Sequence, residues 1–156
     1  MKPRAYASGT TVPVEKTRAE IERLLMKHGA TQLGIISDSE RGIALVIFTI
    51  TGRQVRLRVP LPVLGDVEAN GRHRAAGDEC IRRFEQLTRQ RWRALLLFAR
   101  AKLQLVELGL STVEREFLAH IALPDGQTVE DVLLPQLEEA YRTGHMPPLL
   151  PPGGLR

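Results

Sequence analysis

Apolar positions along the chain change their period several times, and each change marks an element. Ile21, Leu24, Leu25 and His28 recur at the spacing of one helical face, while Arg18, Glu22, Arg23 and Lys27 take the other. This predicts an amphipathic helix, with a capping-box pair at Thr17 and Glu20 or a start a few residues earlier, and Gly29 as its terminating residue. Ahead of it, the β-branched stretch Thr10–Val14 reads as an edge strand or extended lead-in, because Pro13 cannot donate to a ladder.

Period two then takes over. Thr31–Ser37, Ile43–Thr51 and Gln54–Leu61 are strand-like runs separated by turns at 38–42 and near Thr51-Gly52-Arg53. In the third run Val55, Leu57, Val59 and Leu61 alternate with Gln54, Arg56, Arg58 and Pro60, so two arginines project from one side. The middle run is apolar on both faces, which suits a central strand with a helix packed on it. Residues Pro62–Gly77, which include Arg72, His73 and Arg74, show no period and read as a mobile connection.

From Asp78 to Leu108 neither Gly nor Pro intervenes. The stretch predicts one helix about 46 Å long at ~1.5 Å per residue. An approximately helical apolar stripe runs through Ile81, Phe84, Leu87 or Thr88, Arg91 or Trp92, Leu95, Phe98 or Ala99, Lys102 or Leu103 and Val106, interrupted at Arg91 and Lys102. Ser111-Thr112-Val113-Glu114 is a capping-box pattern that starts a further helix toward His120. Thr128 caps a last helix, which Pro135 restarts or kinks and Gly144 ends. The expected fold class is therefore α+β: a three- to four-stranded antiparallel meander packed on a long helix, with additional C-terminal helices. Residues 1–145 form one domain, and the Pro-rich tail 146–156 is extended or disordered.

Composition narrows the classes. The chain has 156 residues, 43% of them hydrophobic and 26% charged, in the range of globular domains. A lone cysteine, Cys80, excludes an intrachain disulfide and a Cys-rich metal site and suits a reducing compartment. No apolar run approaches the roughly 20 residues needed to span a bilayer, so neither membrane insertion nor export is expected. The net charge is +4, and Lys2, Lys16, Lys27 and Lys102 are the only lysines, so arginine dominates. Its planar guanidinium forks suit phosphate and carboxylate, although a GC-rich genome yields the same bias.

The arginines set the candidate chemistry. Between Arg82 and Lys102 seven basic residues face one acid, Glu85, and Arg89, Arg91 and Arg93 surround Trp92, the only tryptophan. Such a group fits phosphate contact with a base stacked on the indole; a solvated helix face with Trp92 as a core anchor fits as well. Arg56 and Arg58, with Arg53 beside them, form a second basic candidate on the sheet. The candidate nucleic-acid-binding residues are thus Arg53, Arg56, Arg58, Arg89, Arg91, Trp92 and Arg93. Aromatic residues make up only 4% of the chain, so the usual stacking platform is thin. Four scattered histidines lack metal-ligand spacing, and no phosphate loop or nucleophile elbow occurs. No catalytic residue, metal or cofactor is expected. Positions 53–102 are basic and Glu107–Glu139 acidic, which suits head-to-tail self-association.

Four strings carry a resemblance: Val14–Glu22, Arg89–Leu95, Glu116–Ile121 and Gly144–Pro147. With them the chain, from about Tyr6 to Pro151, resembles a family of small uncharacterised proteins encoded by bacteriophages and prophages. The resemblance implies a bacterial cytoplasm and a setting rich in DNA replication and recombination proteins, and it transfers no catalytic residue. The leading expectation is a non-enzymatic, homo-oligomeric nucleic-acid-binding protein that favours single-stranded DNA. The alternative is a protein-interaction module, an inhibitor or adaptor of a host protein, docking through the long helix.

Overall fold

A computed structural model of the chain describes residues 6–65 and 77–145. The expected Arg72-His73-Arg74 loop and the Pro-rich tail lie outside the described residues. Helix α1 spans Val14–Lys27, strands β1, β2 and β3 span Thr31–Asp38, Ile43–Ile50 and Arg53–Pro60, and helix α2 spans Gly77–Glu107. Helix α3 (Val113–Phe117) runs into a 3₁₀ turn at Leu118–His120, and helix α4 covers Val129–Thr143. The fold is α+β, with a three-stranded antiparallel sheet in the order β1-β2-β3.

Thr10–Val14 is not a strand. Thr10 closes a turn by donating its N–H to the Ala7 carbonyl, and Pro13, with φ −58°, stands at the N-terminal boundary of α1. Thr17 is consequently inside the helix, fully buried, and its hydroxyl donates to the Pro13 carbonyl at 3.3 Å instead of forming the expected cap. The cap between α2 and α3 is one residue later than expected: the Thr112 hydroxyl, not Ser111, accepts the Arg115 N–H. Pro135 does not restart α4, which continues through it from a reciprocal Thr128–Asp131 capping box to Gly144 at φ +71°.

The sheet twists through two tight hairpins. Thr51 and Gly52 both have positive φ (49° and 74°), the primed turn whose twist matches that of flanking strands. At Gly42, φ +62° and crowding both demand glycine: a β-carbon would stand 2.6 Å from Val63 Cγ2 and 2.8 Å from the Leu61 carbonyl oxygen. The edges are blunted. β1 carries a bulge between Thr31 and Gly34, with Gln32 at φ +52°, and Arg18 donates from α1 to its Ile35 carbonyl. Along β3, Ala122 donates to the Gln54 carbonyl at 2.8 Å.

One face of the sheet carries the core. Ala44, Val46, Phe48 and Ile50 of β2 and Val55, Leu57 and Val59 of β3 are buried under Ile21 and Leu25 of α1 and Trp92, Leu96 and Leu103 of α2. Ion pairs between Glu20 and Arg93, and between Lys27 and Glu107, set α1 and α2 side by side and parallel. Lys102 explains one break in the expected apolar stripe. Its amine donates to the Glu116 carbonyl, lies 3.4 Å from the Glu116 carboxylate, and sits over the Phe98 and Phe117 rings. It is the cation that ties α3 to α2.

Candidate functional site

The two basic candidates lie on opposite sides of the sheet. Arg56 and Arg58 alternate with the buried Val55, Leu57 and Val59, so they emerge on the face opposite α1 and α2. Arg53 shares the parity of the buried set and is exposed at the strand end. Arg89, Arg91 and Arg93 belong to α2, across the sheet from Arg56 and Arg58. No single strand of nucleic acid bridges both groups without passing around an edge.

Trp92 is the clearest correction. Its residue exposure is 1%, and Arg18 lies over its ring at 5.5 Å from the centroid. An enclosed indole does not stack on a base, so Trp92 is a core anchor. The reason is rotational: Trp92, Leu96, Ala99 and Leu103 share the face of α2 directed at the sheet, and the arginines at 91 and 93 fall to either side.

Several arginines are already engaged. Arg93 pairs with Glu20 at 3.1 Å, and Arg89 pairs with Glu85 at 3.5 Å while donating to the Gln86 side chain at 2.9 Å. Arg56 donates to the Gly126 carbonyl at 2.6 Å and to the Gln54 side chain at 3.0 Å. Arg53, Arg58 and Arg91 remain exposed, as do Arg82 and Arg83 near the start of α2.

Around Arg58 the outer sheet face and α4 enclose a cleft of about 730 Å³. Ile43, Leu45 and Leu134 give it apolar walls, and Arg58 faces a rim of Glu130, Asp131 and Glu138. Asp131 is held below the usual carboxylate range chiefly by the Thr128 N–H and then by the Thr128 hydroxyl, with a smaller contribution from Arg58. At the cleft's end His120 has its pKa lowered by burial, which outweighs Glu130 at 3.7 Å. Among the described residues no group of His, Cys, Asp and Glu side chains comes together as a metal site, and no helix is long and apolar enough to cross a membrane.

Sequence reasoning offered docking through the long helix as an alternative but did not locate a face for it; the structure leaves the outward face of α2 for that role. From Ala94 to Leu108 the positions turned away from the sheet are Ala94, Leu97, Ala101, Gln104, Leu105 and Leu108; all are exposed and none is charged. Leu97 is 44% and Leu108 61% exposed. The N-terminal half of this helix is treated differently, since Gln86 and Gln90 donate to the main-chain carbonyls of Ser8 and Tyr6, which cover it. The signal was present in Ala94-Leu95-Leu96-Leu97-Phe98-Ala99, a run apolar around the whole helical circumference, more than one sheet contact can bury. Compared with protein-family models, curated proteins and solved structures, the chain matches none.

Proposed function

We propose that the protein is a non-enzymatic protein-interaction module that docks through the outward face of α2. The observation that carries this reading is the uncharged stripe Ala94–Leu108 on a helix whose opposite face is already committed to the core. A solvated helix face ordinarily bears charge, and a contiguous exposed apolar patch on a folded domain marks a contact surface. The rigidity of the support favours the same reading, because α2 is held by the sheet, α1 and α3 and presents its outer side chains without reordering.

A photo-crosslinking side chain at Ala101, introduced in the full-length protein in cells, tests the proposal. The expected result is a discrete adduct that disappears when Leu97 is changed to Glu and does not form from a crosslinker at Thr31. The absence of any adduct from position 101 overturns it.

A second reading, contact with a nucleic-acid backbone, is favoured by the exposure of Arg82, Arg83 and Arg91 along α2. On this reading the interaction is purely electrostatic, with Trp92 uninvolved. Oligonucleotide affinity then falls steeply with salt and is reduced by Arg82→Glu/Arg83→Glu. No detectable binding at low salt removes it.

A further inference from the structure

We infer that the occupant of the α2 face is a second copy of this chain, packed antiparallel to the first. The inference rests on the proposed docking role of that face and names its partner.

The spacing of the stripe supports it. Ala94, Leu97, Ala101, Gln104 and Leu108 follow one another at intervals of three, four, three and four, the repeat of a helix-to-helix seam. Alanine at 94 and 101 lets a second backbone approach closely, while Leu97 and Leu108 project as knobs. An antiparallel pair is self-complementary on this pattern: with Ala101 opposite the partner's Gln104, Leu97 falls opposite the partner's Leu108, and the two-fold axis repeats both contacts.

Charge supports the same register. Arg100 and Glu107 flank the stripe on the side facing α1, one heptad apart. Arg100 is mostly exposed and stands 4.0 Å from its nearest carboxylate, Glu20. Glu107 is kept below the usual carboxylate range first by the His28 imidazole and then by Lys27, so it carries full charge at neutral pH. In the antiparallel register each Arg100 faces the partner's Glu107, twice per dimer. A parallel pair puts the two Arg100 side chains, and the two Glu107, on opposite flanks of the seam, where each lacks this partner. The charges therefore select orientation.

The paired stretch Leu97–Leu108, roughly 16 Å long at ~1.5 Å per residue, lies at the small end of specific interfaces, so association is expected in the micromolar range. Sedimentation velocity of the full chain between about 1 µM and 1 mM is expected to show a rise from one-chain toward two-chain mass. Leu97→Glu/Leu108→Glu, two exposed positions, is expected to hold the one-chain mass throughout with unchanged thermal stability. Arg100→Glu is expected to weaken the dimer by about tenfold, since an exposed pair is worth a factor of roughly two to five and is lost twice. Combining it with Glu107→Arg restores association, an outcome that loss of structure does not produce. One-chain mass at all concentrations, or failure of the double reversal to restore, overturns the inference. In the crosslinking experiment an adduct of two-chain mass supports a second copy. An adduct of any other mass overturns the second copy while leaving the docking role standing.

Discussion

Replacing Trp92 separates its core role from nucleic-acid recognition most sharply. The residue is 1% exposed, and burial of a tryptophan removes on the order of 150–250 Å² from water. At about 25 cal/mol per Å² this corresponds to roughly 4–6 kcal/mol, an upper bound because the unfolded chain already shields part of that surface. Large-to-small core replacements of this kind cost about 3–5 kcal/mol, and loss of the Arg18 contact over the ring at 5.5 Å adds about 0.5–1 kcal/mol. Trp92→Ala is therefore expected to remove roughly a quarter or more of a typical 5–15 kcal/mol stability and to lower Tm by roughly 7–24 °C. Urea and thermal unfolding followed by circular dichroism measure both. Because the chain has a single tryptophan, the same residue reports on the wild type: its emission is expected to be blue-shifted and poorly quenched by acrylamide until unfolding. Trp92→Phe, which fills most of the space, is expected to fold with a smaller loss and to leave any oligonucleotide affinity unchanged. A Trp92→Ala variant of wild-type stability, or a folded Trp92→Phe variant that loses oligonucleotide binding, refutes this assignment.

Two further predictions concern other parts of the fold. Lys102→Met keeps the aliphatic stem but removes the amine that joins Glu116 to α2, and is expected to lower Tm by roughly 2–6 °C at neutral pH. Glu116 is held below the usual carboxylate range first by Ser111 and then by Lys102. The stability this supplies is present above the ordinary carboxylate pKa and lost as pH falls through the lowered value. The difference between variant and wild type should accordingly shrink in acid; a constant difference from pH 7 to 3 refutes the pairing. His120 has the opposite chemistry, a base whose pKa burial lowers from 6.5. The unfolded chain takes up the proton first, so stability is expected to decline as pH drops below about 6.5. His120→Gln should flatten that part of the curve, and an unchanged pH profile removes His120 as its source.

Much of the architecture was written in local patterns. Alternation in β3 set Arg56 and Arg58 on one face, the Thr51-Gly52 turn followed from its residue types, and the uninterrupted stretch after Asp78 became a helix within one residue at each end. Of the two readings of Thr10–Val14, the extended lead-in into α1 held and the edge strand did not, because a few β-branched residues beside a proline carry too little periodicity to separate the two. The acid at Glu116 that neutralises Lys102 stands fourteen positions along the chain, and only packing shows that the interrupted stripe is a tether.

The sequence by itself determined which residues share a face of each helix or strand, because periods of 3.6 and 2 are properties of the backbone. Only the tertiary structure decided which face meets the core and which meets solvent. The basic group around Trp92 was divided by that decision, with the indole directed into the sheet and Arg93 held by Glu20, while the second candidate, Arg56 and Arg58, stands on the far side of the sheet. The same packing left Leu97, Leu105 and Leu108 outside. A sheet covers one side of a helix, so a helix apolar all round keeps its second apolar face for something else.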